Sequence, residues 1–169
     1  MTKNVPLSEN DARVLEILQQ QGRRSYADLG SDLGMAAPSV HERVKKLEAR
    51  GVIRGYAADV DPAAVGLSVL AFTWVRQAPG TVQVDLTPSF AVIPEIEECH
   101  HIAGEADYIL KIRARDMEHL GEIVKAVQAN AEVFSTETDV AFTTGFERRA
   151  LPITARPADT PETKRAGSA

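Results

Sequence analysis

The sequence has 169 residues, of which 44% are hydrophobic and 25% charged, and its net charge is −5. No apolar run reaches the roughly 18 residues that a membrane span needs, and no signal peptide precedes Ser8. The single cysteine, Cys99, excludes a disulfide framework and a cluster of thiolate metal ligands. We therefore expect a cytoplasmic protein of one or two small domains, with no membrane partner.

The negative charge is concentrated in the second part of the chain. Residues 1–60 contain nine Lys and Arg against eight Asp and Glu, whereas residues 61–169 contain ten against sixteen. From Arg23 to Arg54 there are seven Lys and Arg residues and four Asp and Glu residues. If the chain binds a polyanion, this first region is where it would do so.

Three short helices are predicted in the first sixty residues. The start and stop signals are Ser8 and Gly22 for the first helix, and Ser25 and Gly34 for the second. Acidic residues three positions after each serine, Asp11 and Asp28, strengthen both starts. The β-rich stretch from Val52 to Val60 predicts a strand that flanks the helices.

The third helix has an apolar stripe and a basic stripe. Pro38 suits its first turn, and Gly51 suits the left-handed position after its end. The apolar stripe consists of Val40, Val44 and Leu47, and the basic stripe of Arg43, Lys46 and Arg50. The alternative is an ordinary solvated face. The short links to two preceding helices favour a helix-turn-helix unit whose third helix enters a DNA major groove.

The second part of the chain predicts a ferredoxin-like domain with the order βαββαβ. The predicted strands are 67–77, 95–102, 106–113 and 137–144, with a short helix capped by Thr87 within 81–94 and a helix from Asp116 to near Asn130. Both faces of the first strand are apolar, although helices can cover only one face of such a sheet. The pattern therefore predicts a homodimer that forms through the sheets.

Several strings in both halves are characteristic of one family. The first half contains Val40-His41-Glu42-Arg43-Val44-Lys45-Lys46-Leu47-Glu48 and Gly51-Val52-Ile53-Arg54-Gly55-Tyr56, and the second contains Cys99-His100, Gly104, Asp107-Tyr108-Ile109-Leu110 and Asp116-Met117. From Leu7 to Phe146 the chain resembles the Lrp/AsnC family of transcription regulators, with its effector-binding RAM domain. Two departures are Ala36, where a capping Ser is common, and Gly30, where a better helix former is usual; each costs about 1 kcal/mol.

The resemblance and the residue pattern together imply an α+β protein. Residues 1–60 form a winged helix-turn-helix domain, 61–67 a linker, 68–150 a ferredoxin-like dimerisation and effector-binding domain, and 151–169 a largely disordered tail. The function implied is sequence-specific binding to a palindromic operator in double-stranded DNA, under the control of a small effector. Members of the family also stack dimers into octamers, and nothing in the sequence forbids this.

The DNA-binding candidates lie on the third helix. Residues early in a recognition helix reach base edges, and flanking cations hold phosphates. The candidates are Ser39, His41, Glu42 and Arg43 for bases, and Lys46 and Arg50 for phosphates. Arg43 is the strongest because Arg is the commonest bidentate reader of guanine. His41 is alternatively buried against the first helix.

The resemblance also implies an effector, typically an amino acid, bound between subunits near the turn from the second to the third strand. The residues implied are Gly104, Glu105, Ala106, Asp107, Tyr108 and Met117, with Thr136 and Thr138. Backbone N–H groups around Gly104 could hold a carboxylate, and Asp107 could accept an ammonium group. Alternatively, Gly104 only shapes the turn, Asp107 caps it, and Met117 belongs to the core.

Catalysis is not expected, and neither a cofactor nor a metal is implied. The sequence has no nucleophile–base constellation, paired-carboxylate motif or phosphate-binding glycine loop. Neighbouring residues of a strand point to opposite faces, so His100 and His101 cannot readily hold one ion, and Cys99 with His101 lacks further ligands. The alternatives are an enzyme on the same fold, such as a sirohaem decarboxylase, and a metabolite sensor that binds only protein.

Overall fold

The computed structural model describes residues 6–78 and 84–155, which divide into two compact units. One unit takes residues 6–58 together with 146–155, and the other takes Asp59–Gly145 apart from its undescribed loop. The predicted α+β class, with helix-turn-helix helices before an antiparallel sheet, is confirmed. Among the described residues, no helix is long and apolar enough to cross a membrane.

The first unit contains the three predicted helices, α1 (Glu9–Gln20), α2 (Tyr26–Leu33) and α3 (Ala37–Ala49). The capping box of α1 forms as predicted, since Asp11 N donates to Ser8 Oγ and Ser8 N donates to the Asp11 carboxylate. Gly34 and Gly51 take the left-handed conformation after α2 and α3, with φ of 66° and 69°. Local signals therefore define all three helices.

The apolar stripe of α3 is buried, as predicted. Its three residues pack with residues of α1 and α2 into one core, formed by Val14, Leu15, Leu29, Leu33, Val40, Val44 and Leu47. The N-cap residue before α3, Ala36, makes no side-chain capping bond. Packing against the other two helices therefore carries most of the stabilisation of α3.

Gly30 is required by the turn between α2 and α3, which the sequence did not reveal. A Cβ at Gly30 would lie 2.5 Å from the backbone oxygen of Met35 and 3.4 Å from the nitrogen of Ala37. The Met35 N–H also donates to the Gly30 carbonyl at 2.8 Å. The residue that weakens α2 by its propensity is thus the one that allows the tight turn.

The strand predicted over Val52–Val60 is wrong, because these residues have no regular structure. The N–H groups of Val52 and Ile53 donate back to the Leu47 carbonyl and complete the end of α3. Gly55 has φ of 155°, away from strand geometry. A strand needs a paired neighbour, and the described chain gives this segment none.

The end of the described chain packs against the first unit. The Gln19 side-chain amide bonds both backbone groups of Leu151, donating to its oxygen at 3.0 Å and accepting from its nitrogen at 2.8 Å. Ile153 packs against the core of the three helices. Residues 151–155 of the predicted disordered tail are therefore docked, and residues 156–169 lie outside the described residues.

The second unit has the βαββαβ order that the sequence predicts. Its elements are β1 (Val69–Gln77), α4 (Thr87–Phe90), β2 (Ile96–His101), β3 (Tyr108–Ala114), α5 (Met117–Gln128) and β4 (Val133–Val140). The sheet order is β2-β3-β1-β4, and all neighbours are antiparallel. Asp116 caps α5 through the His119 N–H, as predicted.

The last strand and the short helix depart from their predictions, and the ends of the other three strands differ from theirs by at most two residues. The last strand begins at Val133 and ends at Val140, four residues earlier than predicted, because its partner β1 starts at Val69 and the Ala141 N–H makes the last bond, to Leu70. Thr87 is the first residue of α4 and not its cap. Residues 81–83 of the predicted helical stretch lie outside the described residues.

The two faces of the sheet differ. Both helices contribute to the core on one face, which includes Ala71, Val75, Leu86, Phe90, Tyr108, Leu110, Ile112, Leu120, Ile123 and Val127. The alternate residues of β1 and β3 form the other face, namely Leu70, Phe72, Trp74, Ile109, Lys111 and Arg113. This second face, here called the open face, joins apolar side chains to charged ones and receives no helix of the described chain.

Candidate nucleic-acid interface and effector site

The solvent side of α3 carries two lysines that bind no other described residue. Lys45 and Lys46 are exposed, and no hydrogen bond or ion pair involves either side chain among the described residues. Lys45 lies outside the buried stripe, since it follows Val44 directly and successive residues of a helix turn by about 100°. Sequence reasoning missed Lys45, although its position outside the stripe of Val40, Val44 and Leu47 would have identified it as exposed.

Five of the six predicted DNA-binding residues lie on one surface. A groove of about 150 Å³ is lined by Asp11, Ser39, Glu42, Arg43, Lys46, Leu47 and Arg50. His41 lies elsewhere, because its ring is 4.9 Å from that of Tyr26 on α2. It is half-buried, and its ring contacts the second helix.

Two of the predicted DNA-binding arginines contact the protein itself. Arg43 Nη1 lies 2.6 Å from Asp11 Oδ1 and 3.1 Å from Ser8 Oγ, and Arg50 Nη2 donates to the Pro6 carbonyl at 2.6 Å. Burial raises the pKa of Asp11, but hydrogen bonds from Arg43 and Ser8 outweigh it, and the net pKa is lower than its ordinary value. Both arginines thus join α3 to the start of α1.

Two neighbouring cavities lie at the open face of the sheet, close to the turn between β2 and β3. The first, of about 270 Å³, is lined by Trp74, Arg76, Ile102, Glu105, Ala106, Glu137 and Asp139. The second, of about 340 Å³, is lined by Trp74, Arg76, Ser135, Thr136 and Glu137. Three predicted effector residues, Glu105, Ala106 and Thr136, line these cavities. Sequence reasoning missed Trp74, Arg76 and Glu137, which line both.

Three further predicted effector residues are engaged inside the second unit. The Asp107 carboxylate accepts the Gln77 N–H at 2.7 Å, so it binds the end of β1, whereas the alternative had it cap the turn between β2 and β3. Tyr108 is only 2% exposed, and its hydroxyl accepts the Leu86 N–H. The Thr138 hydroxyl pairs with that of buried Thr73 at 3.0 Å.

The remaining two residues of the predicted site lie at the surface. Met117 is 61% exposed at the start of α5, so the alternative that it belongs to the core is wrong. Gly104 has open space around its Cα.

No group of three or more His, Cys, Asp and Glu in the described chain could hold a metal ion.

Comparison with known proteins gives a consistent result for both halves. The family model described as the AsnC-type helix-turn-helix domain matches residues 7–48, and that of the Lrp/AsnC ligand binding domain matches residues 70–151. The HTH-type transcriptional regulator FL11 of Pyrococcus horikoshii is 34% identical over 149 residues, which cover 88% of this chain and 98% of that protein.

Solved structures agree with this result. A feast or famine regulatory protein of Mycobacterium tuberculosis, complexed with L-methionine, has a TM-score of 0.80 at 28% identity and covers 84% of this chain and 96% of its own. A transcriptional regulator of Neisseria meningitidis, also an L-methionine complex, has a TM-score of 0.77 at 26% identity, with coverage of 86% and 96%. The chain belongs to the Lrp/AsnC family of transcriptional regulators.

Proposed function

We propose that the protein binds a palindromic operator in double-stranded DNA through α3 and acts as a sequence-specific regulator. The observation that carries the proposal is the pair of exposed lysines, Lys45 and Lys46, which make no ion pair in the described chain. Cations on the solvent side of the third helix of such a unit lie where phosphates flank a major groove. Ser39 and Glu42, beside them, are the proposed contacts to base edges.

DNA binding is tested by fluorescence anisotropy of the full chain on DNA from upstream of its own gene. Lys45→Ala and Lys46→Ala should weaken binding to all sequences alike and should each reduce the slope of log affinity against log salt by about 0.9. Lys125→Ala, an exposed lysine on α5, is the matched control and should change neither quantity. Unchanged affinity in both α3 variants would refute the proposed interface.

The proposed effector is an amino acid bound at the two cavities of the open face. Arg76 Nη2 lies 3.3 Å from Glu105 Oε2 in an exposed pair, which an amino acid could replace by pairing its carboxylate with Arg76 and its ammonium group with Glu105 or Glu137. Trp74 offers an apolar surface beside them. Two of the similar structures are complexes with L-methionine, which supports an amino-acid effector. The backbone N–H groups around Gly104 remain proposed contacts to the carboxylate.

Calorimetric titration with L-methionine and the other amino acids tests this site. The amino acid that binds the parent chain should lose about tenfold in affinity to Glu137→Gln, the scale of one charge-assisted hydrogen bond. Glu118→Gln, an exposed glutamate on α5, should bind as the parent does. Equal binding by both variants would place the effector elsewhere.

The proposed assembly is a homodimer through the open face, which could in turn form octamers. Phe72 and Trp74 are partly exposed at the centre of this face, where a second copy would cover them. Phe72→Asp should therefore dissociate the dimer in analytical ultracentrifugation, whereas Val92→Asp, at an exposed position outside the sheet, should not. A Phe72→Asp chain that sediments like the parent would refute this interface.

A further inference from the structure

The basic stripe of α3 contains side chains of two kinds. Lys46 is free among the described residues, whereas Arg43 and Arg50, three residues before it and four after it, each bind the short segment from Pro6 to Asp11. The two arginines are two helical turns apart, or about 10 Å along α3. Their contacts therefore fasten both halves of α3 to the start of α1.

Arg43 bonds both members of the capping box of α1. Its Nη1 atom reaches Asp11 Oδ1 at 2.6 Å and Ser8 Oγ at 3.1 Å, while Ser8 and Asp11 bond each other through their backbone N–H groups. One guanidinium thus connects the position of α3 to the geometry that starts α1. Both bonds come from the one atom Nη1, which lies at the end of the arginine side chain, and a lysine side chain is one bond too short to place its ammonium group there.

Contact with a base would require Arg43 to leave this arrangement. The Arg43 side chain is 29% exposed and that of Asp11 is 12% exposed, so the pair is largely shielded from water. Departure of Arg43 would leave the Asp11 carboxylate without its cation in a poorly hydrated place, which is unfavourable. Lys45 and Lys46 reach a polyanion without breaking any contact of the described chain.

We infer that Arg43 and Arg50 are positioning residues, which hold α3 against the start of α1 so that Ser39, Glu42, Lys45 and Lys46 meet the DNA in a fixed orientation. The inference rests on the proposed DNA binding and corrects the expectation that Arg43 reads bases. It makes Asp11, which lies on α1 and lines the same groove, a determinant of DNA affinity. It also explains why an acidic residue lies beside the predicted DNA surface.

The test uses Arg43→Ala, Arg43→Lys and Asp11→Asn in the full chain, with Glu16→Gln as a matched loss of negative charge on exposed α1 surface. DNA affinity and base preference are measured on a randomised operator library, at a temperature where every variant is fully folded. A residue that only stabilised the fold would not change affinity under this condition. The unfolding free energies of Arg43→Ala, of Asp11→Asn and of the double variant that combines these two are also measured.

If Arg43 is a positioning residue, Arg43→Ala, Arg43→Lys and Asp11→Asn each lower affinity by about tenfold, the scale of one charge-assisted hydrogen bond. Base preference stays that of the parent, and the DNA affinity of the double variant is no lower than that of the single variant that binds more weakly. Glu16→Gln should bind as tightly as the parent or slightly more tightly.

Two outcomes overturn the inference. One is an altered base preference in Arg43→Ala together with unchanged or higher affinity in Asp11→Asn, because a freed arginine that reads DNA gains from the loss of its carboxylate. The other is additive unfolding free energies of Arg43→Ala and Asp11→Asn. Failure of the parent to bind any DNA overturns the proposed function instead, and it is distinguishable because the stability measurements contain no DNA.

Discussion

The two helical glycines Gly30 and Gly121 should respond in opposite directions to substitution by alanine. Helix propensity alone favours alanine by about 1 kcal/mol at either site. At Gly30 a Cβ would lie 2.5 Å from the Met35 oxygen, well inside van der Waals contact, and that oxygen belongs to the backbone of the turn. Relief requires a shift of nearly 1 Å in the turn that places α3.

The cost of that shift exceeds the gain in propensity. Overpacking of this kind typically costs about 1–3 kcal/mol, and here the hydrogen bond from Met35 N to the Gly30 carbonyl is disturbed as well. We expect Gly30→Ala to destabilise the first unit by about 2 kcal/mol net. Gly121, inside α5, has no heavy atom within 4 Å of its would-be Cβ, and Gly121→Ala should stabilise the second unit by about 1 kcal/mol.

Urea unfolding distinguishes the two units in one experiment. The single tryptophan, Trp74, lies on β1 and reports on the second unit, whereas helical circular dichroism also reports on the first. Gly30→Ala should move the helical transition to lower urea, and Gly121→Ala should move the tryptophan transition to higher urea. A Gly30→Ala chain as stable as the parent would refute the argument from close approach.

Three further predictions concern the first unit. Partial burial of Tyr56, which is 53% exposed, and its hydrogen bond to Glu48 raise its pKa to about 12. In an absorbance titration one tyrosine should therefore ionise last, and Tyr56→Phe should remove this transition. Stability that depends on this proton is lost as pH rises from 10 to 12. The pKa of Asp11 is depressed below 3.8, so the stability that its carboxylate contributes is present above that pH and is lost as pH falls further. The unfolding free energy of Asp11→Asn should therefore depend less on pH in the acid range than that of the parent. Gln19→Ala should lower stability by about 1 kcal/mol and speed amide exchange at Leu151. The control Gln20→Ala, at the exposed residue next to it, should do neither.

Local signals in the sequence predicted the helices well. The box formed by Ser8 and Asp11 and the left-handed glycines Gly34 and Gly51 lie where the pattern placed them, because caps and stops depend on a few neighbouring residues. Likewise, the spacing of Val40 and Val44 sufficed to identify the buried side of α3.

Two features that depend on distant partners were not predicted correctly, although the order of the elements in the second unit was. The segment Val52–Val60 has the composition of a strand but no strand beside it, and β4 starts at Val133 because β1 sets the length of the ladder. Composition records a preference, whereas a strand requires a neighbour, which a single sequence does not show.

On the candidate DNA surface, too, the sequence did not show which residues are in contact. The sequence placed Arg43 on the basic stripe, but its partner Asp11 precedes it by 32 residues. The sheet cavities were missed in part for a similar reason, since Trp74 and Glu137 meet only through the pairing of β1 with β4. Residue type and helical spacing establish where a charge lies, and tertiary contacts decide whether it is available.

The contacts of two α3 arginines within the first unit reduce the number of cations that this helix can offer to DNA. With Arg43 and Arg50 engaged, α3 keeps two cations without a partner among the described residues, and two phosphate contacts give a salt slope of only about −1.8 from that helix. Such a helix alone binds DNA weakly at physiological salt. Two copies related by a two-fold axis double the number of contacts and add the gain of a second, intramolecular binding event. The shortage of free cations on α3 is therefore an argument, independent of the open sheet face, that the DNA-binding form is an oligomer.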